Sequence, residues 1–294
     1  MTPQRKATIV STSVAAILTI IKLVVGVASG SVAVLASAVD SILDMFVSIF
    51  NYFAIHNSEK PADKSFNYGR GKIEALASVI EGTIIAMSGL FLLYQAFIKA
   101  YSGEVSSYIN ESLVIMVISL IITVALVIYL NRVAKNTGSM VIKADALHYK
   151  TDVYTNAAVL ISLILINFTG YEIIDVVVGG GISIFIIYSA YELIRDGVLV
   201  LLDKSIEGEK VAEIIAIIKS EEKVNTHHLL KTREAGHQTF VEVHLVFDCL
   251  ITLMDAHRVS DKIEDKIREM DKKRDWIINI HMDPYDDFEI NDKV

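Results

Sequence analysis

Residues 144–156, Ala144-Asp145-Ala146-Leu147-His148-Tyr149-Lys150-Thr151-Asp152-Val153-Tyr154-Thr155-Asn156, decide the reading of this chain. They open an apolar segment long enough to cross a membrane, yet they carry His148 and Asp152 four residues apart. That spacing puts both on one face of a helix, about 6 Å apart along its axis. Ionisable groups are costly in lipid, so they face a bundle interior, pair with one another or line an ion path. Upstream, Leu35-Ala36-Ser37-Ala38-Val39-Asp40-Ser41-Ile42-Leu43-Asp44-Met45 repeats the arrangement with Asp40 and Asp44. Three carboxylates and one imidazole can then meet.

The remainder of the chain agrees with a membrane setting. Of 294 residues, 53% are hydrophobic and the mean hydropathy is +0.48, whereas soluble domains hold about 45–50% apolar residues with glycine included. Long apolar runs fill roughly the first 200 positions and charge dominates the last 90 or so. This predicts a membrane domain over residues 1–205 and a soluble domain over 206–294. The single cysteine, Cys249, excludes an internal disulfide framework and any multi-thiolate site within one chain. Metal chemistry must therefore use histidine and carboxylate. A net charge of −8 argues against a nucleic-acid partner, and the absence of Gly-x4-Gly-Lys-Ser/Thr argues against ATP as an energy source.

Six spans are expected, at about 7–29, 32–56, 73–100, 111–133, 140–167 and 172–202, with Lys22 snorkelling outward from the first. The N-terminal run is too long for a signal-peptide core and is read as a retained helix. Lys and Arg gather before the first span (Arg5, Lys6), between the second and third (Lys60, Lys64, Arg70, Lys72) and between the fourth and fifth (Arg132, Lys135, Lys143). The positive-inside rule makes those segments and both termini cytoplasmic.

Beyond residue 206 the periodicity changes. An amphipathic helix at 211–218, strands at 225–234 and 238–248, a second amphipathic helix at 253–270 and a strand at 276–283 give the order αββαβ. Helices on one face of a small sheet make a compact α+β unit suited to regulation or dimerisation.

If helix two enters from outside and helix five from inside, Asp40 lies about 12 Å below one boundary and Asp152 about 18 Å above the other, in a core about 30 Å thick. Antiparallel packing then sets Asp40 beside Asp152 and Asp44 beside His148. Four such ligands suit a tetrahedral divalent cation, Zn(II), Fe(II) or Co(II) better than Mg or Ca. A proton relay or an interhelical polar clamp is the competing reading, but either could use fewer charged groups at one depth.

At these residues the chain resembles the cation diffusion facilitator family, in particular its bacterial zinc and ferrous-iron efflux branch. Asp-x3-Asp on helix two and His-x3-Asp on helix five are that branch's transport motif, carried by Asp40, Asp44, His148 and Asp152. The resemblance spans nearly the whole chain. It implies a homodimeric, multi-pass transporter of the bacterial inner membrane that exports Zn(II), or Fe(II), Cd(II) or Co(II), against proton entry. No organic cofactor and no enzymatic activity are implied. The cytoplasmic domain would be ferredoxin- or metallochaperone-like, and His228, His244, His257, His281 and Asp283 fall at the spacings of the family's binuclear zinc site there. His228 and His244 lie on successive strands, His257 on the second helix, and His281 and Asp283 on one strand face. Lys72 matches a lysine that pairs in the family with an acidic residue after helix six, here Asp203, although a solvated lysine is an equal reading.

The loop between helices two and three departs from relatives that bind metal through Asp-x2-His-x3-His. Asp63 is kept, but Phe66 and Arg70 occupy the histidine positions, so no metal is expected there. Manganese-type relatives lack the helix-five histidine, which tilts the choice towards zinc or iron. A manganese-selective member, or a membrane-anchored metal sensor using the same cytoplasmic histidines, is the alternative; a sensor has no need of the intramembrane tetrad. A hydrolytic metalloenzyme is disfavoured, because four protein ligands close the shell that catalytic zinc keeps open.

Overall fold

Uninterrupted apolar sequence between polar breaks folds as six long helices: α1 (Pro3–Ser29), α2 (Val32–Ser58), α3 (Lys72–Ser102), α4 (Asn110–Thr137), α5 (Met140–Thr169) and α6 (Ile173–Leu201). The computed structural model describes residues 1–29, 32–102, 110–169, 171 and 173–286. The expected turn at Gly30-Ser31 and most of the 101–110 connection lie outside them. The chain divides into two compact units, residues 1–198 and 199–294.

In the first unit, α1, α3, α4 and α6 are each long and apolar enough to cross a membrane. Helices α2 and α5 are of similar length, 27 and 30 residues, but carry ionisable residues along their course. The outward faces are rich in large apolar side chains such as Ile20, Val24, Phe46, Phe91, Ile121 and Tyr188. A water-soluble surface would not present so much contiguous apolar area, so this unit is a membrane domain.

The inward faces mix alanine, which lets helices approach, with branched apolar side chains that fill the space between them. Ala54, Ile55, Ala77 and Val141 form one buried cluster, and Ile85, Ala144, Ile186, Ala190 and Leu193 another. Helix α6 meets α3 through glycine. A Cβ on Gly197 would stand 2.6 Å from Val79 Cγ2, 2.9 Å from Ser78 Oγ and 3.0 Å from the Ala75 carbonyl. Contacts between α2 and α5 run in opposite senses along the two helices: Asp44 meets His148, and Asn51, two turns on, meets Asp145, one turn back. The pair is antiparallel. Lys22 does not snorkel outward; its Nζ donates to Ser41 Oγ on α2 at 2.7 Å, because a hydroxyl on the neighbouring helix lies within reach of the lysine stem.

Helix α6 ends where Asp203 takes a left-handed conformation, φ 57°. Its N–H donates to the Val200 carbonyl at 3.2 Å and that of Lys204 to Leu199 at 3.0 Å, the bond pair of a Schellman cap. The second unit follows: α7 (Gly208–Lys219), β1 (Val224–Ala235), β2 (Gln238–Phe247), α8 (Leu253–Met270) and β3 (Asp275–Asp283). Strand β2 is central, antiparallel to β1 and parallel to β3. Gly236, φ 62°, supplies the positive φ required in the two-residue β1–β2 turn.

Val241, Val243, Leu245 and Phe247 of β2 pack with Trp276, Ile278 and Ile280 of β3 against Ile214 and Ile218 of α7 and Val259, Ile263 and Ile267 of α8. Thr252 caps α8 by accepting from the Asp255 N–H at 3.1 Å. Both helices therefore cover one face of the sheet and leave the other for polar side chains.

Gly197→Leu is expected to wedge α6 from α3, against backbone at the Ala75 carbonyl. Such overpacking costs about 1–3 kcal/mol, and thermal unfolding of the purified protein in detergent should show the fall in midpoint.

Candidate metal centre

In the membrane unit, α2 contributes Asp44 while α5, one turn apart, contributes His148 and Asp152. His148 Nε2 lies 3.1 Å from Asp44 Oδ1, and one donor atom from each of Asp44, His148 and Asp152 falls within 4.8 Å of the others. The side chains are partly sheltered, 14% exposed for His148 and 25% for Asp44. Asp40 lies on α2 one turn before Asp44, and its side chain is outside the described residues. Two carboxylates and an imidazole converging within ion-binding distance can hold a divalent cation with borderline-soft preference.

Sequence reasoning passed over a second layer. Ser48 Oγ and Tyr149 Oη are 2.7 Å apart, and Asn51 reaches both Glu81 of α3 and Asp145 of α5. The available signal was a carboxylate in the middle of an apolar helix, Glu81, and a third acidic residue in the deciding stretch, Asp145.

In the second unit the histidines come together through strand register. His228 pairs with His244 across β1 and β2, and His244 with His281 across β2 and β3, so three imidazoles stand side by side on the face opposite the helices. Asp283, two residues beyond His281, sits among them. Its Oδ2 is 2.9 Å from His244 Nδ1 and 3.3 Å from His228 Nε2, and its Oδ1 is 3.0 Å from His281 Nε2. His228 and Asp283 are buried, with side chains 5% exposed. Donors of His228, His244 and Asp283 lie within 4.8 Å of one another, and His281 lies beside His244 with ring centroids 4.5 Å apart and planes tilted by 39°. Imidazoles converging on one buried carboxylate fit Zn(II) or Fe(II). His257 is not brought to this group; it stands on α8, in the layer covering the other face, 3.7 Å from Asp261.

A bulge aims His228. Register slips between His228 and Lys231, and Leu229 takes φ 50°, which returns β1 to the ladder after the extra residue. No residue-type signal marks this position, since leucine is not a left-handed former.

The remaining expected sites resolve simply. In the α2–α3 loop, Arg70 Nη2 stands 2.6 Å from Asp63 Oδ2 and its guanidinium lies over the Phe66 ring at 4.2 Å. The Ser65 and Phe66 N–H groups, and then Arg70, hold the Asp63 carboxyl below its ordinary range. Lys72 opens α3 in the first unit; Asp203 follows α6 in the second, where Arg233 Nη1 donates to its Oδ1 at 3.2 Å. His56 contacts Arg5 and His237 contacts Asp275.

Residues 8–202 match the cation efflux transmembrane domain and residues 206–285 the cation efflux protein cytoplasmic domain. The chain belongs to the cation diffusion facilitator family. This transporter is 34% identical to the cation-efflux pump FieF of Serratia proteamaculans over 280 residues, 95% of this chain and 92% of the pump. It is also 34% identical to FieF of Shigella flexneri over 279 residues, with the same coverage. A solved structure of CzrB in its Zn form is 30% identical, covering 28% of this chain and 92% of that one, with a TM-score of 0.26. The chain is thus a membrane transporter that moves divalent cations out of the compartment it faces.

Leu229→Val should destabilise the second unit by about 1–3 kcal/mol, because a β-branched side chain is strained at positive φ. Leu229→Gly should not. Histidine ring NMR resonances should register the displacement of His228 in the valine variant alone.

Proposed function

We propose that this protein is a proton-coupled exporter of Zn(II), with Fe(II), Cd(II) and Co(II) as further cargo, in a bacterial inner membrane. The observation that carries the reading is the convergence of Asp44, His148 and Asp152 to within 4.8 Å on two antiparallel helices of a membrane domain. Asp40, one turn from Asp44, completes the transport site. Helices α2 and α5 are membrane spans as well, six in all, with their charged residues turned into the bundle and both termini in the cytoplasm. The likeness to FieF along 95% of the chain supports this architecture.

Proton coupling follows from ligand chemistry. Imidazole binds metal only when neutral and carboxylate only when ionised, so cargo and protons compete for the same atoms. Metal leaves outward as protons enter, and the emptied site returns with protons on the groups that held the cargo. This avoids moving bare carboxylate charge through a low-dielectric interior.

His228, His244, His281 and Asp283 hold a resident metal in the cytoplasm, and the chain works as a homodimer through that domain. Such a metal adds binding free energy to the folded, assembled state. His257, on α8 beside Asp261, stands apart from this set.

Asp152→Ala should keep the fold and lose cargo flux in proteoliposomes at equal protein level; wild-type flux would remove the assignment. His148→Asp should alter both metal preference and the pH profile of flux between pH 5.5 and 8, and superimposable profiles would exclude His148 from coupling. Excess chelator should lower the unfolding midpoint of the wild type, by up to about 2.7 kcal/mol of stabilisation at a metal concentration of about 100 times Kd. His244→Ala should abolish that response, and equal chelator sensitivity in the two proteins would dissociate the histidine cluster from metal.

A further inference from the structure

Two turns along α2 from Asp44, about 10 Å, and one turn before His148 on α5, about 4.5 Å, lies a cluster that the transport site does not use. Asn51, Glu81 and Asp145 come from three different helices and are 0%, 1% and 0% exposed. Asn51 Nδ2 donates to Glu81 Oε2 at 3.1 Å and to Asp145 Oδ1 at 3.2 Å, so a single amide nitrogen bridges two carboxylates. The other oxygen of each group, Asn51 Oδ1, Glu81 Oε1 and Asp145 Oδ2, is buried without a hydrogen-bond partner. Ser11 Oγ lies beside Asp145 but donates to the Thr8 carbonyl at 3.1 Å. Among the described residues no lysine or arginine forms a salt bridge with either carboxylate.

Two dry carboxylates held by one amide are a costly arrangement unless positive charge joins them. A proton taken up by one carboxyl would relieve its charge but would not give Asn51 Oδ1 and the free oxygens of both carboxyl groups a common partner. A cation meets all the open valences together. If the Asn51 amide turns over, Oδ1 replaces Nδ2 and three side chains present oxygen to one point.

We propose that Asn51, Glu81 and Asp145 form a second divalent-cation site, an all-oxygen staging post between the cytoplasmic end of α5 and the Asp44–His148–Asp152 group. Its staging role rests on the transport reading above; its ability to bind a cation does not. Lacking imidazole, it discriminates less among ions than the site with His148 and accepts Mn(II) as well as Zn(II). Cargo would therefore be held first by hard oxygen ligands and selected one step later.

The test counts ions bound per full-length chain in detergent by equilibrium dialysis, with Zn²⁺ alone and Mn²⁺ alone. Glu81→Gln with Asp145→Asn is compared with its parent in the wild-type and Asp152→Ala backgrounds. The double substitution should remove about one ion per chain in both and slow zinc flux in the wild-type background by about tenfold or more. Unchanged counts in both backgrounds overturn the site, including the case in which only proton release changes, which would mark a bound proton only. A lost ion with wild-type flux overturns the staging role. Absence of flux in the wild type would defeat the transporter reading while leaving the ion count to decide this one. Should the double variant not fold, Cd²⁺ added to the wild-type chain decides by electron microscopy: density between Glu81 and Asp145 supports the site, and density at Asp44 and His148 alone overturns it.

Discussion

The contact of His148 with Asp44, Nε2 to Oδ1 at 3.1 Å, joins the two helices that could least afford to face lipid. Charged side chains in an apolar helix restrict which face can be exposed. Once Asp44, Asp145, His148 and Asp152 turn inward, the rotation of α2 and α5 about their axes is fixed, and so is their antiparallel pairing. The other helices then need only apolar outer faces and small inner ones. The close approach of α3 and α6 at Gly197 shows how little side chain the interior tolerates.

A comparable division governs the second unit, where an alternating strand sorts its residues to two faces. Val241, Val243 and Leu245 of β2 enter the apolar core, while His244 points to the opposite side. The helices that stabilise the sheet are thus kept away from its histidines. Because β2 is central, His244 has a histidine neighbour on each side, and Asp283 can bear on all three at once. The candidate ligands and the apolar core share the same strands but occupy separate surfaces.

The two polar groups of the membrane unit differ in a way that fits successive tasks. The set containing His148 is partly open and mixes nitrogen with oxygen. The set containing Asn51 is fully buried and offers oxygen only. Both sets draw on α2 and α5, and the second adds Glu81 from α3.

Much of this was legible in the chain. Long apolar runs and their breaks located the helices because lipid requires backbone hydrogen bonds to close within each segment. Four-residue spacings announced His148 with Asp152, and alternation announced the strands, because helix and strand periods are local properties. The sequence also carried the αββαβ order, with α8 found over Leu253–Met270 as expected. Tertiary structure alone decided what no period encodes: the bulge at Leu229 that aims His228, the hydroxyl of Ser41 that captures Lys22, and the separation of His257 from the histidine row. It also brought Asn51, Glu81 and Asp145 together from three helices, 30 and 94 residues apart from Asn51 along the chain. Their meeting depends on how each helix is rotated against its neighbours, and that is settled by packing of the whole bundle rather than by any one segment.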